Sequence, residues 1–265
     1  MPRSPMLDQV TPLILTYNEE VNIGRLLKSL SWARRVVVVD SASTDATGSI
    51  ASGFGNVTFV VREFDELARQ WNFGLNETGI DTDWVLALDA DYVLPEGFVD
   101  EVGGLRPAVE TAGYRAEFDY CIEGVPLRGG LYPPVTVLFR RQGPRFLQDG
   151  HTHRVSLSGS VLPMRTRLQH DDRKPIERWF WSQLKYMRLE AEKLRATPIA
   201  ELRVPDRIRK LIVIAPWLVF CYCLFVKGNI LDGRRGLMYA MQRATAEAIL
   251  ALYLLGEHLG IDRHE

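Results

Sequence analysis

The first part of the chain alternates short apolar runs with stretches whose apolar residues recur at helical spacing. Residues 10–15 form the first run and predict a strand. Ile23, Leu26, Leu27 and Leu30 then share one face of a predicted helix over 19–30, with Asn18 near its N-cap. Residues 36–39 are consecutive valines ending at Asp40. Such an uninterrupted run predicts a central strand covered on both faces. Ser43 caps a predicted short helix to about residue 52. A third strand over 57–61, a helix over 65–76 and a fourth strand over 84–88 follow, the last ending at Asp89. Strands alternating with helices predict an α/β fold with a mixed, largely parallel sheet flanked by helices. Ligands of such sheets bind beyond the carboxyl ends of the strands. Thr16, Asp40 and Asp89 all fall there.

The pattern then changes. Segments near 114–120, 135–139, 155–157 and 161–168 predict shorter strands joined by Gly- and Pro-rich turns. Beyond His170 the chain predicts helices: a basic, aromatic-rich one over 177–195, a very apolar one over 207–226 and an amphipathic one over 237–255. The predicted division is a sheet domain over 1–170 and a helical C-terminal region over 171–265.

The chain has 265 residues, 46% of them hydrophobic and 25% charged, enough for a sizeable core. Its net charge of -1 argues against a general nucleic-acid binder. That balance hides an asymmetry. Residues 1–170 hold 16 basic and 21 acidic side chains, a net of -5. Residues 171–265 hold 16 and 12, a net of +4. A cationic region that also carries the longest apolar run predicts contact with an anionic membrane surface. Cys121, Cys221 and Cys223 match no zinc spacing and are expected to be reduced packing residues. The N-terminus does not read as a signal peptide, so the expected place is the cytoplasm, at the inner face of the membrane.

The sharpest chemical signal is Asp89-Ala90-Asp91 at the end of the fourth strand. Carboxylates at i and i+2 of an extended chain point to one side and repel each other. A divalent cation with oxygen ligands resolves that conflict and can also hold a diphosphate. After the first strand come Thr16, Tyr17 and Glu19, and a ring beside a carboxylate suits a nucleobase. Asp40 can accept a hydrogen bond from a base or ribose, whereas Ser43 and Asp45 read as helix caps.

Together TYNEE (16–20), DSASTDAT (40–47), Arg69 to Asn72 and LALDADYVL (86–94) resemble the family 2 glycosyltransferases of the GT-A fold. More loosely, His151 to His153, His170 and the stretch 227–237 resemble the branch that builds the lipopolysaccharide core. The resemblance implies inverting transfer from a nucleotide diphosphate sugar. Residues 1–105 would hold the donor and 106–170 the acceptor. Thr16, Tyr17 and Glu19 would line the base pocket, and Asp40 would bind the nucleobase. Arg69 and Asn72 would face the diphosphate or sugar. Asp89 would contact ribose or metal, and Asp91 would hold Mg²⁺ or Mn²⁺.

Where the related branch has His-Glu, this chain has His153-Arg154. His153 is placed with the substrate, and Asp149, the nearest carboxylate, is expected to deprotonate the acceptor hydroxyl. His170 is expected to ligate the metal. A metal pair of His151 with His153 is a weaker alternative. The uncharged run 211–226 would span about 24 Å as a helix, short of the ~30 Å hydrocarbon core, so it is expected to lie in the interface or enter one leaflet. The expected acceptor is a lipid-linked or envelope saccharide. Alternatives are transfer to a polyprenyl phosphate, which needs no strong base, and a non-catalytic sugar-nucleotide binder. A dinucleotide oxidoreductase fails for want of GxGxxG after the first strand.

Overall fold

The computed structural model describes residues 4–150 and 152–261. The elements in order are β1 (Val10–Thr16), α1 (Ile23–Ser29), β2 (Val36–Asp40), α2 (Thr47–Ser52), β3 (Val57–Val61), α3 (Leu67–Glu77), β4 (Trp84–Asp89), β5 (Tyr92–Val93), α4 (Phe98–Gly104), β6 (Thr111–Ala116), β7 (Phe118–Ile122), β8 (Val125–Pro126), β9 (Val135–Arg140), β10 (Arg145–Asp149), β11 (Thr152–Ser156), β12 (Ser160–Pro163), β13 (Leu168–His170), α5 (Ile176–Ala196), α6 (Val204–Arg209), α7 (Ile214–Cys221) and α8 (Gly233–His258). They fall into two compact units. One holds Met1–Pro126, Leu131–Gln148 and His153–Arg173, and the other holds Leu127–Gly130, Asp149–Thr152 and Lys174–Glu265.

In the first unit the main sheet runs β12-β6-β9-β4-β1-β2-β3. β4, β1, β2 and β3 are parallel, and β9 is antiparallel to both β4 and β6. Period-two alternation explains the two cores. Ile14, Val36, Val38, Leu86 and Leu88 face α1 and α2. Leu13, Val37, Val39, Val85 and Ala87 face Ala68, Trp71 and Leu75 of α3. All of β2 is buried, as its run of valines predicts. Gly74 lets α3 approach closely, because a Cβ there would stand 2.7 Å from Leu13 Cδ1. The chain turns from β1 to β2 on one side and reaches β4 on the other. The carboxyl ends of these three strands therefore border a topological switch point. The register sets Thr16 beside Asp40, and Leu15 beside Asp89.

A second sheet, β5-β13-β7-β8, is built from short strands. β13 pairs antiparallel with β5 and parallel with β7, so His170 lies opposite both Tyr92 and Tyr120. Sequence periodicity does not reveal β5, β10 or β13, each too short or too polar to show it.

The helices start later than capping residues suggest. α1 begins after Asn22 rather than Asn18, and α2 after Ala46 rather than Ser43. Asn18 is left-handed, with φ 54°, and its side chain is used across loops instead.

In the second unit Met187, Ala191 and Leu194 of α5 pack on Ala246, Leu250 and Leu254 of α8. Between the α5 and α8 carboxylates lies Arg209, 3.5 Å from buried Glu190 and 3.0 Å from buried Glu247. The expected continuous helix over 207–226 is corrected. The chain breaks between α6 and α7, with Ile212 at φ 42°. Pro216 accounts for the break: its ring excludes the carbonyl four residues earlier, that of Ile212, from a helical position. After α7 comes a π-helical turn, Tyr222–Val226, closed by Lys227 N–H donating to the Tyr222 carbonyl at 2.9 Å. No single described helix is long and apolar enough to cross a membrane. The pair Ile214–Val226 and Asn229–Gly256, bent by 74°, passes together by length and composition. A Cβ on Gly236 would fall 1.8 Å from the Asn229 carbonyl oxygen, so α8 requires glycine there.

Candidate active site

The loops that follow β1 and β2 are joined by side chain to backbone bonds. Asp40 is buried. Thr16 Oγ1 donates to its Oδ1 at 2.7 Å, as does Ser43 Oγ at 2.6 Å, and Ser43 N–H donates to its Oδ2 at 2.7 Å. Asn18 N–H donates to Ser43 Oγ, Glu19 N–H to Thr47 Oγ1 and Glu20 N–H to Asp45. In return Thr44 N–H donates to Asn18 Oδ1, and Ala46 N–H to Glu20. Ser43 therefore acts across the two loops, whereas Asp45 accepts both across them from Glu20 N–H and locally from the N–H and Oγ1 of Thr47, the first residue of α2. These bonds hold Tyr17 at the carboxyl end of the sheet, where its ring is about one-third exposed.

Asp91 meets His170 through backbone pairing. β4 ends at Asp89, β5 follows within three residues, and β13 returns beside it. Asp171 N–H donates to the Asp91 carbonyl at 3.0 Å. His170 Nε2 lies 3.4 Å from Asp91 Oδ2, with both side chains largely buried. Tyr120 stacks on the imidazole at 5.0 Å between ring centres, and Tyr132 lies at 4.5 Å. The Tyr92 and Tyr132 hydroxyls are 2.6 Å apart. Burial, and then the negative charge of Asp89, hold the Tyr92 phenol well above its ordinary pKa. Asp91 adds a smaller push in the same direction, so both carboxylates act on one phenol. Tyr92 is therefore neutral throughout the physiological range.

Among the described residues no group of three or more His, Cys, Asp or Glu side chains is preassembled as a metal cage. The donor set still fits a divalent ion. Asp91 offers carboxylate oxygen, and the imidazole beside it adds a nitrogen donor compatible with Mn²⁺. A diphosphate brings the further oxygens that such an ion requires.

A buried network ties this pair to the base loop. Asn22 Nδ2 donates to Glu19 at 2.9 Å and to Asp172 at 3.1 Å. Arg25 donates to Asn22 Oδ1, to the Asp171 carbonyl and to the Asp171 carboxylate. Arg173 Nε and Gly124 N–H complete the shell of Asp171, each at 2.9 Å. Sequence reasoning missed Asn22, Arg25 and Asp171. The acidic pair after His170 was the available signal, but its partners lie near the opposite end of the chain. Gln70 was missed as well: it is fully buried and donates to Ser41 Oγ and to the Arg62 carbonyl at 3.1 Å each.

The other expected site residues are placed differently. Arg69 is exposed on α3 and pairs with Glu66 at 3.3 Å and Asp65 at 3.6 Å. Asn72, expected at the diphosphate, clips β10 to α3 instead. Its Nδ2 donates to the Phe146 carbonyl at 2.9 Å, and Phe146 N–H donates to its Oδ1 at 3.0 Å. That reciprocal pair satisfies its amide within the protein. Asp149 belongs to the second unit, where the Lys193 ammonium lies 2.8 Å from its Oδ1. His151 lies outside the described residues, and so does its expected pairing with His153.

His153 sits between the rings of Trp71 and Phe146, at 5.4 and 5.2 Å. Its buried Nδ1 has no hydrogen-bond partner among the described residues. Burial pushes its pKa from 6.5 down to about 4. Below pH 6.5 the unfolded chain takes up a proton that the native ring refuses until about pH 4. Stability is therefore expected to fall with pH across that window, by up to about 1.4 kcal/mol per pH unit. Denaturant unfolding at pH 7 and pH 5 measures the loss, and His153→Phe is expected to reduce the slope.

A mixed α/β sheet with paired acids at the carboxyl end of its fourth strand is the setting for the comparisons. Residues 13–102 match the family described as Glycosyl transferase family 2. Over 95 residues it is 37% identical to an uncharacterized glycosyltransferase of Rickettsia bellii, covering 36% of this chain and 31% of the relative. The chain thus spans about a third of the length of that relative. It is also 26% identical to the lipopolysaccharide core biosynthesis glycosyltransferase LpsC of Rhizobium meliloti, over 97% of this chain and 94% of that one. Among solved structures, S. aureus TarS 1-349 superposes with a TM-score of 0.46 at 14% identity, over 95% of this chain and 92% of that one.

Proposed function

We propose that the chain transfers a sugar, with inversion, from a nucleotide diphosphate sugar to a lipid-linked or envelope saccharide. The observation that carries this reading is the convergence of Asp91 and His170 beside Asp89, at the carboxyl end of β4. Similarity to LpsC along nearly the whole chain supports an acceptor of the lipopolysaccharide-core type. UDP is the nucleotide we assign. Tyr17 would stack on the uracil, and Glu19 and Asp40 would accept from its one N–H and from the ribose hydroxyls. The Thr16 and Ser43 hydroxyls orient the Asp40 carboxylate for that contact. Asp91 and His170 would hold Mg²⁺ or Mn²⁺, with Asp89 turned to the ribose or the same ion. When bound, such an ion supplies positive charge to the departing diphosphate. The Tyr92 hydroxyl, kept protonated, fixes Tyr132 against the imidazole. Asp149, ion-paired to Lys193, is the carboxylate we assign to accept the hydroxyl proton.

The test is a thermal-shift and turnover screen of UDP-, GDP- and dTDP-sugars with and without Mn²⁺. Ligand that binds only the native state raises the melting temperature. A rise with a UDP-sugar that requires Mn²⁺, together with UDP release, is expected. If no nucleotide sugar shifts the melting temperature with or without Mn²⁺, the proposal fails.

A further inference from the structure

The second unit carries a surface that sugar transfer does not explain. From Leu211 to Val226 the chain holds no charged residue. Much of this stretch is not used as core. Val213, Trp217, Phe225 and Val226 are each between 63% and 73% exposed, and Leu231 beyond the bend is 70% exposed. Ala215, Cys223 and Leu224 supply the buried side. Soluble monomers rarely leave so many large apolar side chains together in water.

We infer that this face docks in the interfacial layer of a bilayer rich in anionic lipid. Three features select that occupant. The first is length. Ile214–Val226 is about 20 Å long at helical rise, too short for a hydrocarbon core of ~30 Å, and the next helix departs at 74°. Such a segment lies in one leaflet rather than spanning two.

The second feature is charge. Lys210 and Lys227 flank the apolar stretch, and Arg234 and Arg235 are exposed just after the bend. The acids nearest in sequence are neutralised: Asp206 by Arg209 at 3.1 Å, and Asp232 by Arg128 at 3.5 Å. The rim is therefore cationic, which complements anionic headgroups. A second copy docked on the same face would bring like charges together. The third feature is chemical: Trp217 and Tyr222 are the amphipathic rings that favour the headgroup level, and Lys227 Nζ lies 5.8 Å from the Tyr222 ring.

The inference is tested by flotation of the full chain with vesicles of phosphatidylcholine alone, and of phosphatidylcholine mixed with phosphatidylglycerol. Binding is expected to be roughly tenfold or more stronger on the mixed vesicles. The double variant Trp217→Glu, Phe225→Glu should abolish it. Both residues are exposed, so the melting temperature should stay near that of the parent. The triple variant Lys227→Glu, Arg234→Glu, Arg235→Glu should remove only the gain from phosphatidylglycerol. The inference is overturned if the parent stays unbound on both vesicles, or if the double variant binds as well as the parent. It is equally overturned if the parent is a dimer in solution that the double variant splits. None of these readouts depends on sugar transfer, so they remain informative if the catalytic reading fails.

Discussion

Alanine at Asp91 is expected to lower sugar transfer by about 10²–10³-fold, the range found when one preorganised stabiliser of a leaving charge is lost. The change removes the carboxylate 3.4 Å from His170 Nε2, and with it the oxygen donor that faces the imidazole. The backbone bond from Asp171 N–H to the Asp91 carbonyl does not involve the side chain, so β13 should keep its place. Loss of turnover should therefore come with an unfolding midpoint close to that of the parent. Asp91→Asn separates charge from shape, because it keeps one oxygen of similar position and is expected to be nearly as inactive. Mn²⁺ titration of the melting temperature in the presence of UDP gives a second readout, and either variant should flatten it. Transfer within about tenfold of the parent would falsify the assignment of Asp91 as the residue that meets the diphosphate through an ion.

Alanine at Asp171 is expected to cost about 1–3 kcal/mol of stability, as when the acceptor of charge-assisted hydrogen bonds is removed. Asp171 is 1% exposed and accepts from Arg25, Arg173 and Gly124 N–H. Its loss would leave Gly124 N–H without its acceptor and take the carboxylate from two guanidinium groups that keep partial access to water. Asp171→Asn should cost less, because it preserves one acceptor. The pH dependence gives an independent check. Burial alone would raise the pKa of this carboxyl, but Gly124 N–H, Arg25 and Arg173 outweigh burial and lower it from 3.8. A lowered native value means that the unfolded chain binds the proton first as the solution is acidified. Its contribution is thus complete above the ordinary carboxylate range, and is lost as pH falls through the native value. Denaturant unfolding from neutral to acid pH should show a shallower acid limb in Asp171→Ala than in the parent. Both variants should also weaken nucleotide binding, since Arg25 and Asn22 connect Asp171 to Glu19.

Much of the first unit was legible because the signals are local. Four consecutive valines favour a strand covered on both faces, and residues 36–40 form one. The apolar face of α1 announced itself by spacing. Capping was less legible. Ser43 and Asp45 have the chemistry of helix caps, yet Ser43 accepts from Asn18 N–H on the neighbouring loop, while Asp45 serves both Glu20 across the strands and Thr47 at the start of α2. Asn72 shows the same limit: an amide on a helix near the site reads as a ligand until the backbone of Phe146 meets it. Before α8 the apolar pattern continued through residues 207–226, but Pro216 breaks the helix at Ile212.

By itself the sequence determined the α/β alternation, the resemblance carried by residues 13–102, and the presence of Thr16, Asp40 and Asp89 at strand ends. Each of these follows from periodicity or from residues adjacent along the chain. Only the tertiary structure decided that His170 stands against Asp91, that Asp171 gathers Arg25 and Arg173, and that Asp149 rests on Lys193. These contacts arise from backbone pairing and helix packing between distant segments. Strands as short as β5 and β13 carry no periodic signal of their own, so their register becomes visible only when the sheet that selects it has formed.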